Sequence, residues 1–159
     1  MILGMSVEAF TRLHTIISLI GIAAGLVFLT GLLRGHYMPR WNVAFLAFTI
    51  LTSVTGFFFH SVAIGPPHIV GALSLVDLAI ALAALYAFKR DGGWRALYAI
   101  TAIIALYLNC FVGVVQAFQK IPALHRLAPT QAEPPFLIAQ GLTLVLFVAA
   151  GIMALRRRA

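Results

Sequence analysis

Five continuous apolar stretches, approximately residues 10–33, 41–63, 68–88, 94–118 and 135–155, take up almost the whole of this 159-residue chain. About 20 predominantly apolar residues are enough to cross about 30 Å of hydrocarbon, and each stretch meets that length. Backbone N–H and C=O groups find no water in lipid, so a spanning chain must form helices or a closed barrel. The runs are continuous rather than alternating, which selects helices. The expected fold is therefore all-α: a polytopic membrane bundle of five transmembrane helices, forming a single transmembrane domain over residues 1–159.

Composition excludes most other classes. Hydrophobic residues make up 62% of the chain, charged residues 9%, and the mean hydropathy is +1.04. A soluble domain carries about 25% charged residues. The longest connection, residues 119–134, is too short to bury a core of its own. A net charge of +7 in a soluble protein would suggest nucleic acid. No soluble basic surface exists here, so nucleic acid is not an expected partner.

The positions of the cations give an orientation instead. With the N-terminus outside, Arg34, Arg40, Lys89, Arg90, Arg95, Arg156, Arg157 and Arg158 fall inside, and Arg12, Lys120 and Arg126 outside. Lys/Arg excess marks the cytoplasmic side, so the expected topology is N-outside, C-inside. The first apolar run is longer than a signal-peptide core of about 7–15 residues, and no small-residue cleavage site follows it. The single cysteine, Cys110, lies within the fourth span and reads as a small packing hydrophobe. Gly65-Pro66-Pro67 predicts a tight outer turn and Asp91-Gly92-Gly93 an inner one. Pro122, Pro129, Pro134 and Pro135 predict an ordered, non-helical cap over residues 119–134.

Helices in lipid associate through small and polar residues, because hydrocarbon is as apolar as their side chains. Each span has one such stripe: His14, Ser18, Gly21 and Gly25 on the first, Thr49, Ser53, Gly56 and His60 on the second. Ser74 and Asp77 share a face of the third, Asn109, Gly113 and Gln116 of the fourth, and Gln140 and Thr143 of the fifth. In the N-outside topology Ser18, Ser53, Asp77 and Asn109 lie about 12–15 Å below the outer helix ends. His14, His60, Gln116 and Gln140 form a second layer above them, with His68 and His125 nearer the surface. The inner halves read as almost entirely apolar. Asp77, Asn109, Gln116, Gln140, Ser18 and Ser53 are thus the candidate ligand-binding residues.

Asp77 is the costliest of these, at about 2.5–3.5 kcal/mol for a charge at mid-bilayer, with Asn109 and a histidine as expected partners. It reads either as interhelical glue or as a proton or cation site. The histidines His14, His60, His68 and His125 are candidate metal ligands. His14 and His60 stand at a common depth that suits a haem b, and His60 and His68 could share a metal ion with His125 or Glu133. No HExxH, GxSxG, CxxC or phosphate-binding glycine loop is present. No catalytic residue is assigned.

The stretches LYLNCFVGVVQAFQKIP at residues 106–122 and LAPTQAEPPFLIAQ at 127–140, with LTSVTG at 51–56, resemble a group of small uncharacterised bacterial inner-membrane proteins. That resemblance implies a bacterial cytoplasmic (inner) membrane and a similar five-span bundle, with no assigned activity. Three functions are compatible with the residues. One is a binding or accessory protein whose outer-half cavity holds a lipid, a quinone or another small amphiphile, with residues 119–135 as a lid. Another is a redox protein with haem or a metal ion on its histidines. The third is a small proton-coupled transporter or channel. Membrane lipid is the expected surroundings, and a homo-oligomer or a larger membrane complex is compatible with the chain.

Overall fold

The computed structural model describes residues 1–59 and 65–157. Ser6 starts the first helix, α1 (Val7–Leu33), where its hydroxyl oxygen accepts the Ala9 N–H at 3.1 Å. Gly35 adopts a left-handed conformation, φ +73°, and reverses the chain into α2 (Pro39–Gly56). Two prolines open α3 (Pro66–Leu82), which widens at its end into a π-helical segment, Ala83–Ala87. Then follow α4 (Gly93–Lys120), the short α5 (Pro122–Leu127) and α6 (Pro134–Arg156). Among the described residues there is no strand, only an isolated bridge between Ile2 and Met5.

The protein is all-helical, and among the described residues four helices are long and apolar enough to cross a membrane: α1, α3 with its π-helical extension, α4 and α6. The second expected span, residues 41–63, is only partly realised. Its helix has 18 residues, carries Arg40 and Asn42 at its start and ends at Gly56. The N–H groups of Phe57 and Phe58 then bond to the carbonyls of Val54 and Thr55, closing turns rather than further helix. Residues 60–63 of that expected span lie outside the described residues.

The expected non-helical cap is corrected as well. Pro122 occupies the first turn of α5 rather than breaking it, because its missing N–H would have no helical partner there and its fixed φ suits a helix start.

Packing centres on α4, which contacts α1, α2, α3 and α6, while α1 and α2 form the most extensive pair. The apolar core lies toward the C-terminal end of α1, around Phe28, Leu32, Phe45, Leu78 and Leu106. Gly25 permits that approach: a Cβ there would stand 2.5 Å from Leu106 Cδ1 and 2.7 Å from Phe45 Cδ2. The outer surface is apolar too, with Leu146 of α6 67% exposed and Val76 of α3 61%. Such a surface suits contact with hydrocarbon and would be a liability in water.

Candidate functional site

Away from that core, where α1 and α3 begin and α2 and α4 end, the four helices diverge around a cavity of about 660 Å³. Ligand pockets typically measure about 300–1,000 Å³. Its walls are largely aliphatic, including Leu19 and Ile22 of α1, Val70 of α3 and Val112 of α4. Polar side chains enter between them. Of the residues singled out in the sequence, Ser18, Ser53, Asn109, Gln116, His14 and His68 all line this space. They come from four different helices, and the short spacing of polar stripe residues on each helix places them at one end.

The bonding within the cavity wall separates structural from available groups. Ser53 Oγ donates to Ser74 Oγ at 3.0 Å, joining α2 to α3. Asn109 Nδ2 donates to Thr49 Oγ1 at 2.9 Å, joining α4 to α2. The Ser18 hydroxyl turns back to the His14 carbonyl at 2.8 Å. His14 Nδ1 lies 2.7 Å from Thr55 Oγ1, whose own hydrogen goes to the Leu51 carbonyl at 2.6 Å. With the Thr55 hydroxyl proton assigned to the Leu51 carbonyl, Nδ1 is the donor of this pair, and a neutral ring then keeps its lone pair on Nε2. His68 Nδ1 accepts the Gly65 N–H at 3.3 Å and helps to start α3. At the mouth, Gln116 Nε2 donates to Gln119 Oε1 at 3.4 Å, and among the described residues Lys120 is the one lysine, arginine or carboxylate in the lining.

Three expected site residues lie elsewhere. Asp77 sits one helical turn beyond Ser74, past the Ser53–Ser74 bond, and does not line the cavity. Asn109, its expected partner, is committed to Thr49, and Asp77 Oδ2 is buried without a hydrogen-bond partner among the described residues. Gln140 belongs to α6, which contributes nothing to the cavity. Its Nε2 donates to the Phe111 carbonyl at 3.1 Å, fastening α6 to α4, and its Oε1 is buried without a partner among the described residues. His125 is exposed on α5. His60 lies outside the described residues, so the His14–His60 haem pair and the His60–His68 metal pair do too. Among the described residues no three of His, Cys, Asp and Glu gather as a metal site.

The expected lid is also displaced. Only Lys120 and Ile121 of residues 119–135 reach the cavity. The rest packs over α4 and α6, where Gln131 Nε2 donates to the Val115 carbonyl at 3.0 Å and Phe118 meets Phe136 edge to face. Glu133 organises this segment. Its carboxylate accepts the Thr130 N–H at 3.1 Å, the Thr130 hydroxyl at 2.8 Å and the Ala132 N–H at 3.1 Å. Desolvation alone would raise its pKa, but those donors outweigh it and hold the carboxyl below its ordinary value.

Sequence reasoning missed a second polar cluster at the opposite end of the bundle, where the inner halves read as apolar. Asn42 is 0% exposed and Tyr98 1%, and Tyr98 Oη donates to Asn42 Oδ1. Tyr37 and Arg90 complete the group. Its members come from separate turns and helices, so no local spacing announces it.

Comparison with protein-family models, with curated proteins and with solved structures produced no match.

Proposed function

We propose that this chain is a small integral membrane protein of a bacterial inner membrane that binds an amphiphile, such as a lipid or a quinone, between α1, α2, α3 and α4. The observation that carries this reading is the cavity of about 660 Å³, aliphatic along its walls and polar at one end of the bundle. An apolar pocket with a few convergent polar groups is the usual form of a small-molecule site. In this reading the tail lies against Leu19, Ile22, Val70 and Val112. The head meets the His14 Nε2 lone pair as acceptor and Gln116 and Lys120 as donors.

The same reading takes α2 together with the residues after it as a fifth span and sets the N-terminus outside, consistent with the cation distribution. It also keeps the likeness to small bacterial inner-membrane proteins that the sequence suggested. Haem or a metal would need His60 beside His14 or His68, and a proton-coupled role would centre on Asp77 rather than on the cavity.

Organic extraction of the protein purified in mild detergent, followed by mass spectrometry, tests the proposal. Wild type is expected to yield one amphiphile near stoichiometric amount. Gly113→Trp, which projects a large ring into the cavity beside Ile22, is expected to be depleted of it. Equal recovery from both would count against the cavity as the site.

A further inference from the structure

The cluster at the far end from the cavity has donors left over. Asn42 Nδ2 donates to Tyr37 Oη at 2.8 Å and Asn42 Oδ1 accepts from Tyr98. Both polar atoms of this fully buried amide are thereby engaged. The Tyr37 oxygen is an acceptor in that chain, so its own O–H must seek an acceptor elsewhere, and none is found among the described residues. Arg90 lies directly over the Tyr37 ring, Cζ 3.9 Å from the centroid, and 5.7 Å from that of Tyr98. Its Nε is buried and also without a hydrogen-bond partner among the described residues. The half-buried Tyr37 hydroxyl and the buried Arg90 Nε, whose Cζ lies over the Tyr37 ring, are thus both donors without an acceptor among the described residues, and a buried donor such as Arg90 Nε is rarely left so.

The backbone is bent to produce this arrangement. After the π-helical segment, Lys89 and Arg90 take the left-handed conformation at φ +49° and +59°, and the Arg90 N–H reaches the Ala84 carbonyl at 2.9 Å. Consecutive non-glycine residues in that conformation are strained and persist only when the surroundings impose them. The result is that Arg90 lies against the α1–α2 turn instead of extending into water.

The setting identifies the kind of acceptor. Trp41, Tyr86, Phe88 and Trp94 are exposed around the same end, with Phe88 stacked on Trp94 at 3.6 Å, as aromatic residues are at a membrane–water interface. Arg34, Arg40, Lys89, Arg156 and Arg157 mark the same helix ends, and a Cβ placed on Gly35 would stand 3.6 Å from the Arg157 carbonyl oxygen. Asp91 is the single acid in that region of the sequence. The geometry points to a site at Arg90 and Tyr37 for the phosphate of an anionic phospholipid headgroup, received by the Arg90 guanidinium and the Tyr37 hydroxyl. Guanidinium and hydroxyl donors suit phosphate oxygens, and the depth is that of the headgroups on whichever side this end faces. The site is separate from the cavity and does not depend on what the cavity holds.

Native mass spectrometry tests it, using protein from nanodiscs with equal amounts of phosphatidylglycerol and phosphatidylcholine. Wild type is expected to retain one phosphatidylglycerol about tenfold in preference to phosphatidylcholine, the scale of a charge-assisted hydrogen bond. Arg90→Gln should abolish the preference, and Tyr37→Phe, which keeps the ring, should weaken it. Arg126→Gln, exposed on α5 at the opposite end of the bundle, should leave it as in wild type. Added inorganic phosphate should not displace the lipid; displacement at equal concentration would overturn the lipid as source. Retention unchanged in both Arg90→Gln and Tyr37→Phe, or equal retention of the two lipids by wild type, would overturn the site itself.

Discussion

Tyr98 and Asn42 illustrate what one buried hydrogen bond does in a bundle whose exterior is as apolar as its core. Removing the Tyr98 hydroxyl leaves Asn42 Oδ1 without a donor in a fully buried position. Tyr98→Phe is therefore expected to cost about 1–3 kcal/mol. Thermal unfolding in detergent, followed by circular dichroism, should show a lowered midpoint for Tyr98→Phe and little change for Tyr107→Phe, whose ring packs against Phe111 and Phe147. Equal midpoints would contradict this assignment.

At this scale the sequence was partly legible. The stripe of His14, Ser18, Gly21 and Gly25 does face other helices, because small and polar residues at helical spacing have few other uses in lipid. Depth alone could not say which side chain closes on which. The sequence set Asn109 and Asp77 in one layer as expected partners, yet Asn109 bonds Thr49 of α2 instead. The Tyr37–Asn42–Tyr98–Arg90 group was illegible because a turn, two helices and a left-handed loop residue build it together.

Element boundaries followed the punctuation where residue chemistry is unambiguous. Gly65 with Pro66 and Pro67 marks a helix start for the steric reasons that made it readable, and Pro39 opens α2 in the same way. Proline was misread before α5 because the same residue that stops one helix begins the next. The π-helical end of α3 left no signal in Ala83–Ala87, whose sequence suits an ordinary helix equally well.

The Glu133-centred turn before α6 carries a pH dependence. Its folded pKa lies below the ordinary carboxyl value, so the unfolded segment binds protons more readily than the folded one. The ordering of residues 130–133 should hold at neutral pH and weaken as pH falls from the ordinary glutamate range through the lower folded value. Hydrogen exchange at the Thr130 and Ala132 amides is the readout. Protection should fall over that acid window after correction for intrinsic exchange, and Glu133→Gln should show reduced protection at neutral pH. Protection that ignores both pH and substitution would contradict the capping role.

For the molecule as a whole, hydropathy sufficed for the class: among the described residues four helices are long and apolar enough to cross a membrane, and the surface they expose is aliphatic. Polarity then divides the bundle into two ends. One opens into a cavity where α1, α2, α3 and α4 separate, and the other closes over a tyrosine–arginine cluster beneath a basic rim. The sequence pointed to the first end through residue types at common depth. It did not reveal that Asp77 and Gln140 lie outside the cavity, because that depends on where four helices diverge.

The central claim is that the cavity takes an amphiphile, and photo-crosslinking with a diazirine-bearing long-chain alcohol in nanodiscs tests it most directly. The account predicts saturable labelling of residues 11–22 and 108–121, suppressed by excess unlabelled alcohol and by Gly113→Trp, above an unsaturable background on the exposed residues 142–146 of α6. Labelling of the cavity segments that is no more saturable than that of α6, and unchanged by Gly113→Trp, would contradict it.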